Sequence, residues 1–199
     1  TFLLSVLCFG MAFLYIPMFL LIVYSFNYSK IVSVWGGLST RWYISLFESE
    51  EIWSALMLSL KIAIVNATFA TLFGTLAGLA LARFRHFRGR TLFTGMISAP
   101  LVMPEVITGL SLLLLFITLG DLIGWPEKRG ITTITIAHIT FSLAYVAVII
   151  ESRLSGIGET LEEAALDLGA KPLRVMMDIT LPLLAPGMLA GWLLAFTLS

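Results

Sequence analysis

Apolar stretches of about twenty residues or more recur along this chain, and stretches of that length admit very few folds. They cover residues 2–24, 55–82, 92–119 and 131–150, and another begins near residue 186. A helix rises about 1.5 Å per residue, so about 20 residues cross a hydrocarbon core roughly 30 Å thick. Inside that core every backbone polar group needs a partner within the protein, which leaves helices and closed barrels. The stretches are too long for barrel strands. The expected fold is therefore an all-α membrane protein, a polytopic helical bundle with about five spans visible. The composition agrees, with 59% hydrophobic and 12% charged residues and a mean hydropathy of +1.00, outside the range of soluble domains. The last stretch, from about 186 to Ser199, reaches only about 21 Å as a helix. With Thr1 in place of Met at its start, the sequence reads as one transmembrane domain over 1–199, C-terminally incomplete.

Charge fixes an orientation. Residues 83–90 carry Arg83, Arg85, Arg88 and Arg90 around His86, and a short basic loop of this kind is retained in the cytoplasm. Alternation then makes the amino terminus cytoplasmic, 25–54 and 120–130 external, and 151–185 cytoplasmic. The arginines read as anchors of topology and lipid headgroups, and Lys61 as a snorkelling anchor. Trp35, Trp42, Tyr43, Trp53 and Trp125 fit an external aromatic belt. Twelve basic residues balance twelve acidic ones, which argues against nucleic acid as a partner. Cys8 stands alone and forms no internal disulfide. His86 and His138 have no second ligand at a metal-binding spacing, so no metal site is expected.

Two irregularities mark the spans. Gly74-x-x-x-Gly78 and Gly187-x-x-x-Gly191 allow close helix approach and read as packing faces rather than as evidence of a homodimer. Pro100 and Pro104 interrupt the third stretch, where a continuous helix is not expected. Glu105 follows directly, roughly 20 Å from the start of that stretch near residue 92 if the first half is helical. A carboxylate at this depth marks an ion or substrate route, or else caps the half-helix after Pro104 or bonds neighbouring helices.

The loop at 151–185 is the one long polar island. Thr160-Leu161-Glu162-Glu163 is a capping box, in which the Thr160 hydroxyl accepts from the Glu163 amide and the Glu163 carboxylate reaches back. The helix it starts would carry Leu161, Ala164, Ala165 and Leu168 on an apolar face, with Glu162, Glu163 and Asp167 on or near the polar side. Gly169 is placed to end it in a left-handed conformation, and Pro172 suits the first turn of a second short helix. An elbow results. Surface-lying membrane helices are usually basic on the polar face, whereas this one is acidic.

The pattern Glu163-Ala164-Ala165, three residues, Gly169, nine residues, then Ile179-x-Leu181-Pro182 resembles the cytoplasmic loop by which ABC importer permeases dock onto their ATPase. The likeness extends along the chain through Tyr15-Ile16-Pro17, Tyr24-Ser25-Phe26-Asn27, Arg41-Trp42-Tyr43, Phe84-Arg85 and Phe87-Arg88-Gly89. It continues through 99–109, read Ala-Pro-Leu-Val-Met-Pro-Glu-Val-Ile-Thr-Gly, and through Gly191-Trp192-Leu193-Leu194-Ala195-Phe196-Thr197-Leu198-Ser199. The chain resembles the permease subunits of spermidine/putrescine ABC importers, most of all those of putrescine importers. The resemblance implies six spans, of which the fifth is truncated here and the sixth lies beyond. It also implies a multi-pass protein of a bacterial inner membrane, a second permease subunit, ATPase subunits that bind ATP and Mg, an external substrate-binding protein and a polyamine substrate.

The expected function is accordingly that of a permease forming half of a polyamine pathway, with Glu105 facing the cation. Thr160, Glu163, Ala164, Ala165, Asp167, Gly169, Pro172, Ile179, Leu181 and Pro182 would form the ATPase-docking loop. No phosphate-binding Gly-x-x-x-x-Gly-Lys-Ser/Thr loop is present, so the chain is not expected to be an enzyme or to hold a cofactor itself. Two alternatives stay open. The same docking loop serves permeases for other solutes, such as an oxyanion or ferric ion, and a membrane scaffold without transport would share the architecture.

Overall fold

The computed structural model describes residues 2–31, 33–84, 86–158 and 160–199. Arg85 of the basic run and residue 159 at the start of the expected elbow lie outside them. Among the described residues the regular elements are helices, joined by turns and loops, with one isolated bridge between Asn27 and Leu38. Among the described residues, five stretches have the length and apolarity of a membrane span: Phe2–Ser25, Glu50–Arg83, Glu105–Ile123, Ile131–Ile157 and Pro172–Thr197. The chain forms two compact units, Thr1–Met57 and Leu58–Ser199.

The first unit holds α1 (Phe2–Ser25), α2 (Arg41–Glu48) and the first turns of α3 (Glu50–Arg83). Helix α1 contains Pro17 and buries none of its side chains within the chain. An all-round apolar helix of this kind belongs in lipid or against another helix. The segment between α1 and α2 is organised by Asn27, which is buried. Its side-chain amide donates to the Val34 carbonyl at 2.7 Å, and its Oδ1 accepts from the amides of Ser29 and Gly36 at 3.2 and 2.7 Å. The Trp42 indole donates to the Asn27 carbonyl at 2.9 Å and the Trp53 indole to the Phe47 carbonyl at 3.1 Å. These two members of the expected aromatic belt thus spend their N–H groups on the protein backbone.

The second unit is built around α6 (Ile131–Ile157). On one side lies α3, whose Gly74 and Gly78 face it so closely that an added Cβ would meet Val146 Cβ at 2.6 Å and the Ala147 carbonyl at 2.8 Å. On the other lies α9 (Leu181–Thr197), whose Gly191 faces the same Val146, and whose Gly187 faces Arg153. Both glycine pairs are therefore packing faces within the chain. Val146, Ile150, Leu154, Leu184, Ala67, Ala70 and Ala195 make the core that these three helices share. Asn66 crosses it, donating to Ser142 Oγ at 3.2 Å and to the Ala195 carbonyl at 2.8 Å. Hydrogen bonds between helices of this kind hold membrane bundles together where lipid offers no hydrophobic drive.

The third apolar stretch divides at the second of its two prolines. Helix α4 (Arg90–Val102) packs Ile97 against Ala77, Leu81 and Ala147, and α5 (Glu105–Ile123) follows after an extended Met103 and Pro104. Pro104 has no N–H to continue the ladder and pushes the preceding residue out of helical torsions. Pro100, by contrast, is accommodated inside α4.

The last helix is longer than the apolar run near 186 suggests. From α8 (Pro172–Val175) the chain passes through a π turn (Met176–Thr180) into α9 with right-handed helical torsions at both joints. The 26 residues from Pro172 to Thr197 extend about 39 Å at helical rise. The second arm of the elbow is thus the opening turns of this long helix and not a separate short one.

Candidate functional site

The elbow is built by local backbone chemistry. Helix α7 (Thr160–Asp167) ends where Gly169 takes φ +88°, a conformation that costs a residue with a Cβ about 1–2 kcal/mol. The Gly169 amide donates to the Leu166 carbonyl at 2.9 Å and the Ala170 amide to the Ala165 carbonyl at 3.0 Å. This is the paired termination that glycine permits at a helix end. Lys171 then caps the next helix in an extended conformation, and Pro172 occupies its first position, where a missing N–H costs nothing. The expected start differs in detail. Thr160 is the first helical residue and not the cap, and the position before it lies outside the described residues.

The elbow is tied to the bundle by a residue that reads in the sequence only as a topology and headgroup anchor. Arg83, in the last turn of α3, donates through Nη2 to Glu162 Oε1 at 2.6 Å, and the Thr180 hydroxyl donates to the same oxygen at 2.7 Å. The Arg83 and Glu162 side chains are 20% and 19% exposed. Arg83 also reaches the Gly158 carbonyl at 3.5 Å. Consequently the ends of α3 and α6 and the start of the last helix lie at one end of the bundle. Glu162 and Glu163 are chemically alike, and no local pattern says which turns inward. The available signal was Arg83, a cation at a helix end.

With Glu162 turned inward, Glu163, Ala164 and Asp167 are exposed, while Ala165 is partly covered by its own chain. The two alanines therefore do not present one open face, because successive helical positions are about 100° apart. Leu168 is 89% exposed and Leu173 is 72% exposed. Ile179 and Leu181 are half-buried, and Pro182 is exposed at the start of α9. The exposed leucines flank Gly169 at the outer bend of the elbow and leave apolar surface for a partner.

Glu105 lies at the far end of the same unit. It is the first residue of α5, with Pro104 as N-cap, and no side-chain bond closes that cap. The Ile107 and Thr108 amides instead donate to the Pro104 carbonyl at 2.9 and 3.2 Å. Glu105 opens into a cavity of about 410 Å³ whose other walls include Thr108, His138, Phe141 and Thr197. Thr197 lies sixteen residues beyond Leu181, or about 24 Å along α9 from the Arg83 end. The amino end of a helix favours a negative charge, and Glu105 stands at that end of α5. The Thr108 hydroxyl is buried with no protein partner, and His138 Nδ1 lies 3.0 Å from Ser199 Oγ. Among the residues lining the cavity, Glu105 is the one carboxylate and there is no Lys or Arg. His138 was not expected here. It lies in the first half of α6 and gives no hint of Glu105, which lies on another helix.

Comparison with known proteins gives this arrangement its context. Residues 70–199 match the family described as binding-protein-dependent transport system inner membrane component. The chain belongs to that family. Over 194 residues it is 57% identical to the putrescine transport system permease protein PotI of Escherichia coli (strain K12), covering 98% of this chain and 69% of the relative. It is 42% identical over 188 residues to the spermidine/putrescine transport system permease protein PotC of the same organism, covering 94% and 69%. A PotC homolog from Mycoplasma pneumoniae is 30% identical over 196 residues, covering 94% and 67%. This transport-system membrane component is thus a multi-pass helical membrane protein, and its relatives are transport permeases rather than enzymes.

Proposed function

We propose that the chain is a permease subunit of an ATP-driven polyamine importer, forming half of the pathway and passing polyamine cations beside Glu105. The observation that carries the cargo is the cavity itself, in which one carboxylate stands without an opposing Lys or Arg among its lining residues. Such a site lowers the cost of a cation within the membrane and raises that of an anion. The names of the similar permeases, which specify putrescine and spermidine, support the same class.

Energy enters through 159–182, where the elbow docks onto a separate ATPase subunit that holds ATP and Mg. Exposed Glu163, Ala164, Leu168 and Leu173 form the contact, and Gly169 and Pro172 keep the bend stiff. On this reading the Arg83 end and the amino terminus are cytoplasmic, an orientation that the basic run supports. A second permease subunit completes the pathway and an external binding protein delivers the solute.

Uptake of labelled putrescine by vesicles containing the full-length protein, the second permease, the ATPase and the binding protein tests the assignment. ATP-dependent accumulation is expected. Uptake of an oxyanion or ferric ion alone would overturn the cargo, and the absence of any ATP-dependent uptake would favour a scaffold.

A further inference from the structure

We propose that Arg83, Glu162 and Thr180 form the joint through which movement of the elbow reaches two membrane helices together, an inference that rests on the docking role given to the elbow above. One atom, Oε1 of Glu162, receives both Nη2 of Arg83 at 2.6 Å and the Thr180 hydroxyl at 2.7 Å. The three residues belong to α3, to α7 and to the turn that opens into α9. Short charge-assisted hydrogen bonds that converge on one oxygen leave little play between the pieces they join.

The environment separates this contact from an ordinary surface ion pair. Arg83 and Glu162 are each about four-fifths covered, whereas the nearby pair of Arg174 and Asp178 is 79% and 62% exposed. Exposed pairs are screened and contribute little. A covered, doubly hydrogen-bonded carboxylate holds its geometry, so displacement of α7 displaces its partners.

The two receiving helices differ at the point of attachment. Arg83 ends a 34-residue α-helix, while Thr180 closes the five-residue π turn between Pro172–Val175 and Leu181–Thr197. A π turn is an interruption of the regular ladder that recurs at functional sites. The Leu181 amide there bonds the Met176 carbonyl, five residues back. The elbow therefore grips α3 at its last residue and the last helix at its irregular turn. Glu162 is a positioning residue: it acts through Arg83 and Thr180, and leaves exposed Glu163 for the partner.

The test measures labelled putrescine taken up per ATP hydrolysed, in vesicles holding the complete complex. In Glu162→Gln the ATPase remains in the purified complex, hydrolysis continues, and the uptake per ATP falls about tenfold. Thr180→Val lowers the ratio several-fold, while Thr180→Ser, which keeps the hydroxyl, restores it to within about twofold of the unaltered protein. An unchanged ratio in Glu162→Gln, equal behaviour of Thr180→Val and Thr180→Ser, or loss of the ATPase from Glu162→Gln would overturn the joint. Absence of bound ATPase from the unaltered complex would instead remove the docking reading, and the joint with it.

Discussion

Asn66 donates its side-chain amide to the backbone carbonyl of Ala195 at 2.8 Å, across 129 residues of sequence. The bond joins α3 to α9, and a second from the same nitrogen to Ser142 adds α6. Asn66→Ala removes both and leaves the Ala195 carbonyl without this donor. Loss of about 1–3 kcal/mol is expected, read as a lower melting temperature of the purified protein in detergent.

Close approach of α3 to α6 gives a contrast between two glycines. At Gly78 a methyl group would meet the Ala147 carbonyl and Ile150 Cβ at 2.8 Å, whereas at Gly95 nothing lies within 4 Å. Gly78→Ala is expected to destabilise by about 1–3 kcal/mol through overpacking. Gly95→Ala, in the interior of a helix, is expected to be neutral or stabilising by up to about 1 kcal/mol. Thermal unfolding of the two variants side by side checks the difference.

Replacing Glu105 by Gln removes the negative charge and keeps the shape. The putrescine concentration for half-maximal uptake should rise at least about tenfold, equivalent to about 1.4 kcal/mol of lost cation binding. Glu105→Asp should retain part of the affinity. Unchanged uptake, affinity and ATPase coupling in Glu105→Gln would remove the carboxylate from the pathway.

Glu163→Lys and Gly169→Val probe the outer side of the elbow. The first reverses an exposed charge, and the second places a β-branched residue at φ +88°, with strain of at least about 1–2 kcal/mol. Both should reduce co-purification of the ATPase, or ATP-driven uptake, several-fold while the permease remains inserted. Normal values of both quantities in both variants would refute docking at this loop.

Orientation can be read with single thiols. In a Cys8→Ser background, His86→Cys should react with an impermeant thiol reagent only after the membrane is opened, and Lys128→Cys should react in intact cells. The opposite result would invert the proposed topology.

The sequence made the spans legible because hydrocarbon thickness imposes their length, and it made the break at Pro104 legible because a missing N–H is a local property. Gly169 and Pro172 were readable for the same reason. What escaped was pairing between distant residues. Nothing near Glu162 announces Arg83, nothing near Glu105 announces His138, and Asn27 gains its role only when Val34, Gly36 and Trp42 fold around it. The continuous run from Pro172 into α9 was missed because polar residues such as Lys171, Arg174 and Asp178 disguise the first turns of an otherwise apolar helix.

Val146 stands between Gly74 of α3 and Gly191 of α9. One isopropyl group therefore sets the spacing on both flanks of α6. A smaller residue there would loosen two interfaces in a single step and a larger one would pry both apart. The two neighbouring helices are consequently not independent in evolution: a change at either glycine must be reconciled with a side chain that the other also uses.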